Sequence, residues 1–280
     1  MKPALSLIIP ANNEATFIRA CLQAVLSSSA VQNDAIVQVI VVANGCTDET
    51  AQLARDFVED FQSRGWQLEV MELEQGSKIT ALNLGENAAT ADVLAYLDAD
   101  VIVSSQLLAQ TVDALSRQFP AYASGKVHLM PAKTATTRGY GSFYLQTPFM
   151  KQKAPGCGYF AMNRVGRARW NEWPKIISDD TFARLKFANH ERFQVDASYD
   201  WPLVEGLRNL VKVRRRQNAG VDELSEKHPD LLDNDSKQRF ALSSAFKAAL
   251  SSPFGAIIYG TVSLTVKVTP GKNSDWKRGR

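Results

Sequence analysis

Cysteine is scarce in this sequence. Cys21, Cys46 and Cys157 stand far apart among 280 residues, with no C-x-x-C pair. That argues against a disulfide framework or structural zinc and for a reducing compartment. Histidine is equally sparse, and His128, His190 and His228 show no metal-ligand spacing. Long hydrophobic runs are missing as well. No window reaches roughly 18 consecutive apolar residues, so no transmembrane helix is expected. The nearest approach, "PFGAIIYGTVSLTV" (253–266), is too short to span and rich in β-forming residues and glycine. The start, "MKPALSLIIPANNE", mimics a signal peptide. Its apolar run is brief, Pro10 breaks it, and polar residues stand where a cleavage site should be, so we read it as part of the fold. No G-x-G-x-x-G follows the first strand, which removes a dinucleotide-dependent oxidoreductase from consideration. There is no internal repeat. The net charge of +3 is too small to argue for nucleic acid as a partner.

What is present is an alternation of short apolar runs and amphipathic stretches. "ALSLIIPA" (4–11), "AIVQVIVVAN" (35–44), "WQLEVMEL" (66–73) and "DVLAYLDA" (92–99) read as strands. Between them, Glu14 to Ser28, a stretch capped by Thr47 and running to about Phe61, and Lys78 to Ala88 read as helices. A fourth helix follows through Leu107, Leu108, Val112, Leu115 and Phe119. Such alternation implies βαβ units and a mostly parallel sheet with helices on both faces. After about residue 120 the rhythm is less regular. "YASGKVHLM" and "CGYFAMN" look like strands, and "DDTFARLKFA" looks like a helix start. "TRGYGSFYLQTPFMKQ" shows no clear period, and its aromatics are more often core than a sugar platform. From about 205 the chain is basic and polar, with a cluster at Lys212-Val213-Arg214-Arg215-Arg216 and a tail "GKNSDWKRGR".

The polar clusters "ANNE", "NGCTDET" and "DAD" each follow a strand directly. In an open parallel sheet that places all three on one edge, beyond the carboxyl ends of the strands, where ligands bind. Asp98-Ala99-Asp100 alone is equally well an acidic turn. Two carboxylates one residue apart also suit a hard divalent cation shared with a substrate phosphate. Lys78 at a helix start can meet a phosphate or be a solvated charge. Thr47 can be only a cap, and Glu14 only a partner of the helix dipole. Asp179-Asp180 can be a helix-start pair or hold a general base.

Taken in order, "SLIIPANNE", "VIVVANGCTDET", "GSKITALNLG", "LDAD", "GCGYFAMNR" and "SDDTFA" resemble family 2 glycosyltransferases of the GT-A fold. The resemblance covers roughly the first 190 residues. It implies an α/β nucleotide-diphospho-sugar transferase fold and an inverting transfer from a nucleotide-diphosphate sugar, of UDP or GDP type, to a hydroxyl acceptor. A lipid-linked acceptor is among the options. Pro10, Asn13 and Glu14 would line the nucleotide pocket, and Asn44 and Asp48 would lie near base and ribose. Lys78 would stand beside the nucleotide. Asp98 would face ribose or metal, Asp100 would be the principal ligand of Mn²⁺ or Mg²⁺, and Asp180 would be the catalytic base. Asp179 stands where the family usually has Glu.

Two departures stand out. Asn12 replaces a frequent Tyr, and Ala43 an acid that helps read uracil, so the base stays open. "RRRQNAG" (214–220) lacks the Trp of the Gln-x-x-Arg-Trp motif of processive relatives, which points to a single transfer in polysaccharide, glycolipid or cell-envelope glycan synthesis. We expect residues 1–205 to form the catalytic domain, with a nucleotide-binding half (1–120) and an acceptor half (121–205). Residues 206–280 would be a basic extension. The expected location is cytoplasmic, with peripheral contact at the inner leaflet through the basic cluster and tail, the cluster being equally a diphosphate-binding group or a solvated face. Two rivals remain: a nucleotide-sugar-binding scaffold without catalysis, and a sugar-phosphate nucleotidyltransferase. The second lacks its usual Gly-rich loop after the first strand.

Overall fold

In a computed structural model, residues 2–235 and 240–269 are described. The chain forms two compact units. The first comprises Met1–His128, Gly156–Lys175 and Lys186–Trp201. Its strands are β1 (Leu5–Ala11), β2 (Val37–Asn44), β3 (Gln67–Leu73), β4 (Val93–Leu97), β5 (Ile102–Val103), β6 (Tyr122–Leu129), β7 (Tyr159–Asn163) and β8 (Arg192–Trp201). They make one eight-stranded sheet in the order β3-β2-β1-β4-β7-β6-β8-β5. The first four are parallel, with Leu5 opposite both Val37 and Val93. β7 runs antiparallel to β4 and β6, and β5 runs antiparallel to β8.

Every residue of β1, β2 and β4 is buried. Continuous apolar runs of this kind suit strands covered on both faces. One face of β1 (Leu5, Leu7, Ile9, Ala11) joins a core with residues of α1 (Ile18–Leu26), α3 (Val58–Ser63) and α5 (Leu107–Leu115). On the other face lies α4 (Lys78–Ala88), where Gly85 rests directly on Ile8 and Val42. The short α7 (Arg164–Arg167) follows β7.

The second unit comprises Leu129–Pro155, Ile176–Leu185 and Pro202–Arg280. Its helices are α6 (Ala135–Tyr144), α8 (Asp179–Leu185), α9 (Leu207–Lys227), α10 (Leu242–Ser251) and α11 (Pro253–Val268). The basic cluster 212–216 lies within α9. The tail 271–280 lies outside the described residues.

Several local expectations need correction. The helix expected from Thr47 to Phe61 is two pieces, α2 (Thr50–Arg55) and α3. Thr47 does not cap it. The Thr50 N–H is taken by Asp48 Oδ1 at 3.0 Å, while the Thr47 N–H goes to Asn13 Oδ1 at 2.8 Å. The first helix begins at Ile18, four residues after Glu14, and α5 ends before Phe119, which is exposed.

Residues 135–144 are helical where no period was visible. Two glycines dilute the pattern and lower helix propensity. The helix start is secured from afar: the Glu205 carboxylate accepts the Lys133 and Thr134 N–H groups at 2.7 and 3.1 Å. α11 is helical despite its β-branched content. Pro253 sits in its first turn, where proline is tolerated, and Tyr259 packs on rings of α6. β8 escaped notice although Phe193, Val195, Ala197, Tyr199 and Trp201 alternate cleanly into the core.

Candidate active site

The loops after β1, β2 and β3 are knotted together by side chains. Asn44, the last residue of β2, is buried. Its Nδ2 donates to the Ala11 carbonyl at 2.8 Å, and its Oδ1 accepts the Ser77 N–H at 3.1 Å. One amide thus ties the ends of β1 and β2 to the start of α4. Asn12 Nδ2 donates to the carbonyls of Asn44 (2.5 Å) and Gly45 (3.2 Å). Asn13 sits at φ 53°, a region Asn enters more readily than most residues, and its Oδ1 accepts from Thr47. The Glu14 N–H donates to Thr50 Oγ1 at 2.7 Å, and the Ala15 N–H to Asp48 Oδ2 at 3.1 Å.

Gly45 makes this closeness possible. It has φ 59°, and a Cβ there would fall 2.4 Å from the Gly76 nitrogen. Any other residue would push the second and third loops apart. Burial raises the pKa of Asp48. Hydrogen bonds from the Thr50 hydroxyl and from the Ala15 and Thr50 N–H groups outweigh it, and the carboxyl ends below its ordinary range. Asp48 therefore stays ionised as a clamp between the loops.

Lys78 and Asp98 meet separately. Lys78 opens α4 after Ser77, whose Oγ accepts the Thr80 N–H as an N-cap. Its Nζ lies 3.1 Å from Asp98 Oδ1, and both side chains are about one-third exposed or less. The Asp98 N–H donates to the Gly158 carbonyl at 2.9 Å, and its own carbonyl accepts the Val101 N–H at 3.1 Å. Ala99 and Val101 are buried in the core while Asp98 and Asp100 stay partly exposed. Alternation thus drives the small residues inward and leaves both carboxylates at the strand end. Pro10 pairs in register with Val42 in the last part of β1.

Among the described residues, no group of three His, Cys, Asp or Glu side chains could hold a metal ion alone. Asp98 and Asp100 are oxygen donors, partly open, and only two. That set fits a Mg²⁺-like cation, which takes one or two carboxylates and fills its shell from substrate phosphates and water.

Asp179 and Asp180 belong to the second unit. They open α8, which is well braced there. The Ile177 N–H donates to Glu223 Oε2 at 2.8 Å, and buried Arg184 donates to Gln152 Oε1 at 2.8 Å. Asp180 Oδ1 accepts the Thr181 N–H at 2.6 Å, which sets the plane of the carboxylate.

One positioning residue was not foreseen. Glu86, on α4, accepts hydrogen bonds from Tyr96 Oη at 2.5 Å, from Arg167 Nε at 2.7 Å and from Trp173 Nε1. Burial, then the Glu86 carboxylate, push the Tyr96 hydroxyl well up, so it remains a donor. A glutamate in a helix carries no sequence signal of such a role. Asn12 was noted only as a departure, and its two backbone bonds show that it fastens the first loop to the second.

Asn44→Ala should cost about 2–3 kcal/mol of stability, because it strands the buried Ala11 carbonyl and the part-buried Ser77 N–H. Urea unfolding would check this, and a loss under about 0.5 kcal/mol would mean that water replaces the amide.

Comparison with solved structures shows the fold. Mannosyltransferase PcManGT from Pyrobaculum calidifontis, in complex with GDP-Man and Mn²⁺, superposes with TM-score 0.62 at 17% identity, covering 97% of this chain and 77% of that one. S. aureus TarS 1-349 in complex with UDP-GlcNAc gives TM-score 0.54 at 14% identity, covering 100% and 95%. The fold is that of GT-A glycosyltransferases. The chain belongs to glycosyl transferase family 2, whose profile it matches over residues 6–172. Glycosyltransferase AglE of Haloferax volcanii is 33% identical over 143 residues, 50% of this chain and 45% of the relative. The uncharacterized glycosyltransferase EpsJ of Bacillus subtilis is 27% identical over 203 residues, 71% and 56% respectively. The chain thus spans about half the length of these curated relatives.

Proposed function

We propose that this chain transfers a sugar from a nucleotide-diphosphate sugar to a hydroxyl acceptor, with inversion, in a single non-processive displacement. The observation that carries the reading is the Lys78–Asp98 pair, 3.1 Å apart at the end of β4, beside three loops that one another's side chains hold in place. Asn44 and Asp48 shape the nucleotide pocket as ties between loops. Pro10, Asn13 and Glu14 form its wall. Lys78 and Asp98 stand beside the nucleotide, and the ammonium meets the diphosphate.

Asp100, with Asp98, would hold Mn²⁺ or Mg²⁺, which supplies neutralisation of charge on the leaving diphosphate. Asp180 accepts the acceptor's hydroxyl proton as the new glycosidic bond forms. The acceptor oxygen attacks the anomeric carbon from the face opposite the diphosphate, which leaves with the bonding pair. In this reading residues 1–205 would be the catalytic domain and 206–280 an extension whose α9 braces the segment before α8, whereas compactness groups 129–155 and 176–185 with the residues from 202 onward. The relatives named glycosyltransferases and the neighbours bound to GDP-Man and UDP-GlcNAc support this donor class. Polysaccharide, glycolipid or cell-envelope glycan synthesis is the proposed setting.

The test is thermal unfolding with UDP or GDP, each with and without Mn²⁺. Ligand at about 100 times its dissociation constant adds roughly 2.7 kcal/mol. A metal-dependent rise with one nucleotide, lost in Asp100→Ala, is expected, and it identifies the base. No rise with either nucleotide in folded, metal-supplied protein would count against a donor site here.

A further inference from the structure

α10 and α11 leave a broad apolar face without a partner among the described residues. Leu242, Phe246 and Leu250 recur every four residues on α10 and are 89%, 66% and 67% exposed. Ile257, Leu264 and Val268 continue on α11 at 66%, 61% and 65%. So many large apolar side chains exposed on two successive helices mark an interaction surface.

The helices are not loose. α10 is held where Ser251 Oγ donates to Gln146 Oε1 at 3.0 Å. The other side of α11 is firmly docked. Tyr259 packs on Tyr140 and Phe143 with ring centroids 5.4 and 4.9 Å apart, and the Arg214 guanidinium lies 5.3 Å from the Tyr259 ring centre. The bare side is therefore held outward by a packed one.

Charge selects the occupant. Residues 240–269 contain two lysines, Lys247 and Lys267, both exposed, and no carboxylate. Arg215 adds a cation at the end of α11, where its Nη2 donates to the Thr269 carbonyl at 2.7 Å. The sequence then continues through 270–280 with four basic residues and one acidic. An apolar face with cations and no anions fits an anionic bilayer surface, where the apolar side sinks to the headgroup boundary and the lysines reach phosphates. No helix of the described residues is long and apolar enough to cross a membrane, so contact of this kind lies in the interface plane.

We propose that the α10–α11 face is an in-plane docking surface for an anionic lipid bilayer. The sequence had pointed to the basic cluster and the tail. The exposed apolar residues of α10 and α11 are a different surface from those two. This inference does not depend on the transferase reading, since it concerns a surface and not the donor site.

The experiment is co-flotation of the full chain with vesicles of phosphatidylcholine alone or phosphatidylcholine with phosphatidylglycerol, alongside light scattering for mass. Binding to the anionic vesicles is expected, weaker on neutral ones and weakened by salt. F246E and L264E should each reduce it roughly tenfold to hundredfold. K247E should reduce it about fivefold. Both apolar positions are exposed, so melting temperature and any nucleotide-induced shift should stay unchanged. Failure to float with either vesicle, in protein of unchanged melting temperature, would overturn the proposal. So would a dimer that F246E dissolves without any vesicle binding, which would assign the face to a second copy of the chain.

Discussion

Replacing Asp180 by Asn is expected to lower turnover about 10²–10⁴-fold while leaving donor binding intact. The amide keeps the shape of the side chain, and its oxygen can still accept the Thr181 N–H that anchors Asp180 Oδ1 at 2.6 Å. What it loses is the ability to take a proton. Other contacts brace α8: Ile177 is held by Glu223, and Arg184 by Gln152 and, at 3.6 Å, by Asp235. The folded state should therefore survive. The measurement is steady-state kinetics with melting in nucleotide and Mn²⁺ beside it. A fall in kcat with the nucleotide-induced shift retained assigns the base. Turnover within tenfold of the unaltered protein would transfer the role elsewhere, with Asp179→Asn the next variant to make.

Glu86→Ala is expected to cost about 3–5 kcal/mol of folding stability. Glu86 and Arg167 are each about nine-tenths buried, and their ion pair spans 2.7 Å. Removing the carboxylate leaves the guanidinium buried without its counter-charge. Arg167 would keep its bonds to the Trp170 and Asn171 carbonyls, both at 2.6 Å, but neither neutralises it. The Tyr96 hydroxyl and the Trp173 indole N–H would lose their acceptor as well. Tyr96 stacks on Phe160 at 4.8 Å and meets Trp173 edge-on at 5.3 Å, so the damage would spread into an aromatic cluster. Lys78 opens the same helix, so its approach to Asp98 depends on the same anchor. Glu86→Gln keeps an acceptor and should recover part of the loss. Urea unfolding reads both variants. A cost for Glu86→Ala below about 1 kcal/mol would show that water reaches the pair and solvates it.

Much of this site was legible in the sequence because its carriers sit at fixed points of a regular pattern. β1, β2 and β4 are buried along their whole length and mostly apolar, with Ser6 and Gln38 paired to each other at 2.6 Å, and a sheet covered on both faces buries such runs. Each ends in polar residues, so parallel strands had to bring Asn12–Glu14, Asn44–Asp48 and Asp98–Asp100 to one edge. The two carboxylates of "DAD" also follow from alternation, with Ala99 and Val101 turned into the core.

What each of those residues does there was not legible. Asn44 and Asp48 were expected against base and ribose. The structure adds a second task, as ties between loops, with Asn44 reaching Ala11 and Ser77 across 33 residues of chain in either direction. Thr47 was expected as a cap, but its hydroxyl turns to Asn13 Oδ1, and Asp48 Oδ1 accepts the Thr50 N–H instead. α6 and α11 were hidden for the opposite reason. Their own residues disfavour helix, and Glu205, Tyr140 and Phe143 hold them in it from a distance.

The sequence by itself determined the parallel strands, their order along the chain, the single edge where the polar loops collect and the family to which the chain belongs. These depend on periodicity and burial, which are properties of neighbours in the chain. Only the tertiary structure decided which side chains act as struts, that Glu86 anchors α4, and that the apolar residues of 242–264 face outward. Those outcomes depend on hydrogen-bond partners and packing surfaces that distant segments supply, and no local pattern encodes them.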